Sequence, residues 1–170
     1  MRQTLLLSVL ALTLTALPAA AQTSSMSAPA PGMAALKYYV GTWSCLAGPP
    51  GVPPSKATVT YAMDHDILRQ YVIVPPAGNM KQTFSMAVGT GFDAKKNRYV
   101  QTSVDNSGNW GITYAKPWTG NTEQWVDSTT SDGKPGHGVT VRGKNSFTYT
   151  GFATLTGTKP AFKVTCTRSA

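Results

Sequence analysis

Two stretches decide the fold: Tyr38-Tyr39-Val40-Gly41-Thr42-Trp43-Ser44-Cys45 near the start of the chain, and Thr165-Cys166-Thr167-Arg168 at its end. They contain the only two cysteines of the 170-residue sequence. If Cys45 and Cys166 face each other on neighbouring antiparallel strands, the same register places Trp43 opposite Arg168. Residues two apart share a face of a strand, so both pairs lie on one side of the sheet. The two stretches therefore predict a sheet closed on itself, first strand against last.

The facing cysteines predict a disulfide, because directly opposed strand residues have suitable geometry for one. Closing nearly the whole domain into one loop adds roughly 4–5 kcal/mol of stability on the chain-entropy model. Stacking of the Arg168 guanidinium on the Trp43 indole contributes roughly 0.5–2 kcal/mol. The alternative is that the cysteines and the tryptophan are only core residues. In both interpretations Cys45, Cys166, Trp43 and Arg168 are structural rather than catalytic.

The N-terminus has the features of a secretory signal peptide. Arg2 precedes an apolar run from Leu5 to Leu17, and Pro18 and three alanines follow it. A basic start, a short apolar core and small residues before a cleavage site indicate export, and the run is too short to span a membrane. We expect residues 1–21 to be removed, 22–32 to form a flexible tether and 33–170 to form one barrel domain. The signal is of the bacterial kind, so the expected location is the periplasm or the medium, where disulfides persist.

The formal net charge of +8 arises from 15 basic and 7 acidic residues. The basic residues are scattered, except for Lys95-Lys96-Asn97-Arg98 in a predicted hairpin turn. Scattered charge favours solubility; the functional alternative is attraction to anionic lipid or polysaccharide. Nucleic acid is not an expected partner, because no stripe of aromatic and basic residues accompanies the charge. No transmembrane segment is expected in the mature chain.

The body of the chain alternates apolar and polar residues with a period of two, as is typical of half-buried antiparallel strands. Clusters of Gly, Pro, Asn and Asp separate about ten such segments. We therefore predict an all-β fold: a single antiparallel up-and-down β-barrel of about ten strands, in preference to a sandwich. Residues 33–37 are expected to form a short helical turn that caps one end. A barrel of this size has room for one small ligand.

Several motifs resemble those of known barrels. Gly41-Thr42-Trp43 before a first strand, with an arginine of the last strand packing on that tryptophan, resembles the signature of the lipocalin and fatty-acid-binding (calycin) superfamily. From about residue 34 to the end, the chain more closely resembles a bacterial secreted family, the domain-of-unknown-function 1579 group. Its matching segments are Val40–Cys45, Gly91–Asp93 with Arg98–Val100, Val104–Gly108, Lys116–Asn121 and Thr165–Arg168. The resemblance implies a lipocalin-like barrel and brings neither an established activity nor catalytic residues.

Nitrobindins, which are related barrels, bind haem through a histidine. Here the predicted strands near the C-terminus contain no histidine, and His137 lies among glycines in a predicted loop. Haem is therefore not an expected cofactor, and we expect no other.

Asp64-His65-Asp66 is the densest polar cluster of the sequence. Because it lies between two predicted strands, it indicates a solvated turn. The alternative is a metal site with His137 as a further ligand, since carboxylates and imidazoles suit zinc and similar ions. On a strand His65 would point away from both aspartates, which disfavours a compact site.

The sequence offers little for catalysis. It contains no Gly-x-Ser-x-Gly nucleophile elbow, and the disulfide would leave no free cysteine. Glu123 is the only glutamate. Asp105 and Asp127 are candidate buried bases, but Asp105 precedes Asn106-Ser107-Gly108 and fits a turn residue better. We therefore predict no catalytic residue.

Aromatic residues and methionines on predicted strands are the better functional lead. Most should be core, but some are expected to line a cavity with methionines as adaptable walls. Arg69 could meet an anionic headgroup there; the alternative is a solvent-facing arginine. The predicted ligand-binding residues are Tyr61, Met63, Arg69, Phe84, Met86, Trp110 and Tyr114.

The sequence leaves three functional hypotheses. The first is a periplasmic or secreted barrel that binds a small apolar or amphipathic molecule without catalysis. The second is an enzyme on the same barrel, which would need a pair of titratable groups in the cavity. The third is a protein-interaction module with a filled barrel, which an exposed patch around Trp118 and Trp125 would favour.

Overall fold

The computed structural model describes residues 31–77 and 80–169. The predicted signal peptide, at residues 1–21, and residues 22–30 of the predicted tether lie outside the described residues. Within the described part, no helix is long and apolar enough to cross a membrane.

The fold is a closed barrel of ten antiparallel strands, as the sequence predicts. A 3₁₀ helix, Pro31–Tyr39, precedes the first strand and is called the capping helix below. The strands are β1 (Gly41–Gly48), β2 (Ser55–Asp64), β3 (Ile67–Val74), β4 (Phe84–Asp93), β5 (Arg98–Asp105), β6 (Trp110–Ala115), β7 (Thr122–Thr130), β8 (His137–Arg142), β9 (Ser146–Phe152) and β10 (Pro160–Arg168). Each strand pairs with its sequence neighbours, and β1 pairs with β10 to close the barrel.

The register between β1 and β10 is the one that the two cysteines predict. Cys45 lies opposite Cys166 and Trp43 opposite Arg168. The two cysteines form a disulfide with an S–S distance of 2.02 Å. Both sulfur-bearing residues are buried, so the cross-link joins the first and last strands inside the barrel wall.

The capping helix closes one end of the barrel, and it includes the residues 33–37 that the sequence predicts to form a helical turn there. Its residues Met33, Leu36 and Tyr39 are buried in the same core cluster as Trp43 and Phe147. The Tyr39 ring packs edge-on against Phe147 at 5.3 Å, and Trp43 packs against the same phenylalanine at 5.0 Å. The Trp43 indole donates a hydrogen bond to the carbonyl of Tyr39 at 2.7 Å. This end, with its aromatic cluster, is therefore filled, and the hairpin loops of the opposite end surround the mouth.

Candidate ligand-binding cavity

The barrel encloses a cavity of about 640 Å³. Its lining residues come from all ten strands, and Leu36 and Tyr39 of the capping helix contribute to its floor. At the other end it is lined by residues at strand ends and in loops: Ala47, Pro49, Val74, Met80, Phe84 and Phe162. Phe162 is 41% exposed. The cavity therefore extends from the capped floor to the mouth of the barrel.

Most of the wall is apolar. Every second residue of a strand faces inward, and most of the residues at these positions are apolar. The inward face of β2 carries Ala57, Val59 and Tyr61, while the alternate residues of the strand are exposed. The apolar wall is continued on the other strands by Leu68, Val72, Val88, Phe147 and Val164.

A smaller set of polar side chains interrupts the apolar wall: Ser55, Gln70, Thr90, Gln101, Ser103, Thr113, Asp127, Thr140 and Tyr149. Some of these bond to each other; the Gln101 amide donates to the Thr90 hydroxyl at 3.2 Å. Such a wall suits a ligand that is mainly apolar and has a few polar atoms.

Asp127, near the mouth end of β7, is held in place by two hydrogen bonds to its carboxylate. The Thr113 hydroxyl donates to Oδ1 at 3.2 Å, and the Gly136 backbone N–H donates to Oδ2 at 2.9 Å. A side chain at position 136 would collide with the carbonyl oxygen of Phe152, which explains the glycine there. Burial, together with the nearby charge of Asp127, raises the pKa of Tyr149 to about 12. Tyr149 is therefore a neutral phenol at physiological pH.

Glu123 lies below the cavity, two residues before Trp125 on the inward face of β7. It is only 1% exposed, and neither carboxylate oxygen has a hydrogen bond of good geometry among the described residues. Burial raises its pKa to about 8, although the Trp125 indole, Arg142 and the Tyr39 hydroxyl each lower the value in part. Glu123 is therefore mostly protonated at neutral pH, and it is not among the residues that line the cavity.

Three of the seven predicted ligand-binding residues, Tyr61, Phe84 and Met86, line the cavity. Met63 packs against the core cluster near the capped end without lining the cavity. The three lining residues follow from the alternation of β2 and β4.

Arg69 faces outward, which corrects the expectation that it meets a headgroup inside. Its guanidinium pairs with Asp64 at 2.6 Å on the exposed surface. The neighbouring Gln70 lines the cavity instead. Both faces of β3 carry apolar residues, so hydrophobicity does not distinguish its inner face from its outer face.

Trp110 and Tyr114 also lie outside the cavity, which corrects their assignment to the interior. Trp110 is 47% exposed, and the Arg98 guanidinium lies 3.6 Å from the centre of the Tyr114 ring. The inner face of β6 carries Thr113 and Ala115. Here the aromatic residues of the strand are on its outer face.

The candidate metal ligands are divided between the two ends of the barrel. His65 bonds to Asp64 at 2.9 Å in the turn between β2 and β3, near the capped end. His137 begins β8 at the mouth, rather than lying in a loop, and stacks on Phe152 at 4.3 Å. Among the described residues, no group of three or more His, Cys, Asp or Glu side chains could hold a metal ion. No histidine is among the described residues that line the cavity.

The two tryptophans whose exposure would favour a protein-interaction module, Trp118 and Trp125, do not form an exposed patch. Trp125 is 7% exposed and lines the cavity. Trp118 is half-buried against the core cluster, with the Arg142 guanidinium 4.3 Å from its ring centre.

The inward position of Asp127 was the main feature that sequence reasoning left undecided. Glu123, Trp125 and Asp127 alternate along β7 with exposed Gln124 and Val126. Once the large aromatic Trp125 is taken as inward, the period of two places both carboxylates on the same face. That signal was present in the sequence.

Comparisons with known proteins identify the architecture and not a family. No protein-family model and no curated protein matches the chain. Sixteen chains of solved structures do match. One is the crystal structure of Rv2717c from M. tuberculosis, with a TM-score of 0.61 and 15% sequence identity over 84% of this chain and 100% of that one. At this identity the likeness shows the fold alone.

Proposed function

We propose that this protein is a bacterial periplasmic or secreted carrier that binds one small apolar or amphipathic molecule inside its barrel. The observation that carries the proposal is the cavity of about 640 Å³, which has a mainly apolar wall and reaches the mouth. Pockets for small molecules are usually about 300–1,000 Å³ and combine an apolar lining with a few polar groups. The size and the lining of this cavity meet both criteria.

The composition of the wall supports binding of a mainly apolar ligand. Among the described lining residues, Asp127 is the one carboxylate, and the other titratable groups are tyrosines. Met80 and Met86 supply adaptable walls that suit a flexible apolar ligand.

Export and family membership are parts of the same proposal. The Cys45–Cys166 disulfide supports an oxidising compartment, and the apolar run from Leu5 to Leu17 supports a signal peptide. Membership of the domain-of-unknown-function 1579 family is supported by the segments that resemble it.

A matched pair of tryptophan substitutions tests the carrier function. Ala47 lines the mouth of the cavity, whereas Ala62 is exposed on the outer face of β2. Ala47→Trp should fill the mouth and abolish binding of the neutral dye N-phenyl-1-naphthylamine, measured by fluorescence. Ala62→Trp should bind the dye as the wild type does. Circular dichroism checks that both variants are folded.

Native mass spectrometry of protein from the periplasm provides the ligand class. We expect a stoichiometric extra mass on the wild type and on Ala62→Trp, and its loss from Ala47→Trp. Equal dye binding by both variants, or no dye binding by the wild type, would contradict the carrier function and favour a protein that acts through its surface.

A further inference from the structure

The cavity carries one formal charge among its described lining residues, and that charge is negative. Asp127 is the charged residue, and no Lys, Arg, His or Glu of the described chain lines the wall. This contrasts with the whole chain, which has a formal net charge of +8. The interior is thus opposite in sign to the protein as a whole.

Within the described residues, no cationic side chain forms an ion pair with the Asp127 carboxylate. The ion pairs within the described part of the chain involve Asp64 and Asp93, not Asp127. Its two hydrogen bonds, from the Thr113 hydroxyl and the Gly136 N–H, both come from neutral donors. Each oxygen accepts one of them, and a carboxylate has about four acceptor positions. Acceptor capacity and charge both remain for a ligand.

Two aromatic residues of the cavity wall lie near the carboxylate. Trp125 lies two residues away on the same face of β7, and the Tyr149 ring is near enough for the charge of Asp127 to contribute to its raised pKa. The faces of aromatic rings attract cations. A carboxylate with unused acceptor positions, near two aromatic residues and below an apolar mouth, has the chemistry of an ammonium site.

We propose that the ligand is an amphipathic organic cation, whose ammonium group binds Asp127 and whose apolar part lies against the Val72, Val88 and Val164 side of the wall. This inference rests on the proposed carrier function and specifies its ligand class. An ammonium group has three hydrogen-bond donors, enough for the roughly two acceptor positions that remain on the carboxylate. The positive surface does not prevent entry, because charges beyond about 8 Å are screened at physiological ionic strength.

Three amphiphiles with the same ten-carbon chain test the charge preference: decylammonium, decanol and decanoate. Each is titrated against N-phenyl-1-naphthylamine bound to the full mature chain, below its critical micelle concentration. Wild type should bind decylammonium roughly tenfold or more tightly than decanoate, with decanol between them.

Asp127→Asn removes the charge and keeps the shape. The amide oxygen can accept from Gly136 N–H, and the amide nitrogen can donate to the Thr113 hydroxyl. This variant should lose the preference for decylammonium and keep its affinity for decanol within about twofold. Asp132→Asn changes the net charge equally in an exposed turn outside the cavity wall, and it should retain the preference.

A second variant keeps the test decisive if Asp127→Asn fails to fold. Ser103 lines the cavity on β5, so Ser103→Lys introduces an ammonium into the same space and should shift the preference toward decanoate. Binding of all three amphiphiles without charge preference, or a preference that survives Asp127→Asn, would overturn the cation site and leave the carrier function standing. If neither the dye nor any of the amphiphiles bound to wild type, the carrier function and the cation site would both be rejected.

Discussion

The Arg168 guanidinium lies 4.3 Å from the centre of the Trp43 ring and joins the last strand to the capping helix. Its Nη1 donates to the carbonyl of Val40 at 2.6 Å, and its Nη2 donates to the carbonyl of Tyr38 at 2.5 Å. These two carbonyls lie at the end of the capping helix and just after it. One side chain thus holds the floor of the cavity onto the barrel.

Replacing Arg168 should destabilise the protein more than replacing another surface arginine. Arg168→Ala removes two charge-assisted hydrogen bonds and a cation–π contact, so we expect a loss of about 1–3 kcal/mol in the free energy of unfolding. Arg69→Ala is the control, because its ion pair with Asp64 is exposed and surface pairs contribute little. Urea denaturation measures both. Equal denaturation midpoints for the two variants would show that Arg168 does not hold the capping helix.

Removing the disulfide should cost more than any single contact in the barrel. The cysteines are 121 residues apart in sequence, and closing so long a loop contributes about 4–5 kcal/mol on the chain-entropy model. A double variant, Cys45→Ala with Cys166→Ala, should therefore unfold at much lower urea concentration. Reductant should destabilise the wild type by a similar amount and leave the double variant unchanged. A double variant within about 1 kcal/mol of the wild type would refute the long-loop account.

The fold could be predicted because few features were needed to define it. The matching register of Cys45 with Cys166 and Trp43 with Arg168 identifies the strands that close the barrel, and period-two alternation gives the rest. The first signal follows from the geometry of antiparallel pairing and the second from the two-residue period of a strand.

The lining of the cavity was harder to predict, because hydrophobicity does not distinguish the inner from the outer face of every strand in this barrel. Tyr71, Ile73 and Trp110 are all about half exposed on the outer face, while Gln70, Gln101 and Asp127 line the interior. The two faces of a strand can therefore be assigned only once the side-chain orientation, inward or outward, of one of its residues is known. In β7 that residue is Trp125; in β6 the aromatic residues indicated the wrong face.

Glu123 should make the stability of the protein depend on pH. Its pKa is about 8 in the folded protein against 4.5 for the free side chain, so between these values the folded state binds more protons than the unfolded state. The free energy of unfolding contributed by this group therefore falls as pH rises from about 4.5 to 8, by at most about 1.4 kcal/mol per pH unit, and then levels off.

Glu123→Gln removes this titration while keeping the size of the side chain. The contributions of the other titratable groups cancel in the difference between the unfolding free energies of the variant and the wild type. This difference should therefore shift steadily in favour of the variant across the same pH range. Thermal unfolding at half-unit pH steps measures it. Parallel pH profiles for the two proteins would show that Glu123 is not buried as a neutral acid.

Tyr149 depends on a pair of glycines that face each other across β8 and β9, Gly138 and Gly151. A Cβ atom at Gly138 would collide with the Tyr149 ring, so Gly138→Ala must push that ring into the cavity. We expect a loss of about 1–3 kcal/mol in stability, as for overpacking elsewhere, together with weaker dye binding. Gly91→Ala on β4 is the matched control, because a Cβ there meets nothing within 4 Å; its stability should be unchanged or slightly higher, since alanine restricts the unfolded chain. If both variants unfold at the same urea concentration and bind the dye equally, Tyr149 does not need a glycine at position 138 for its packing.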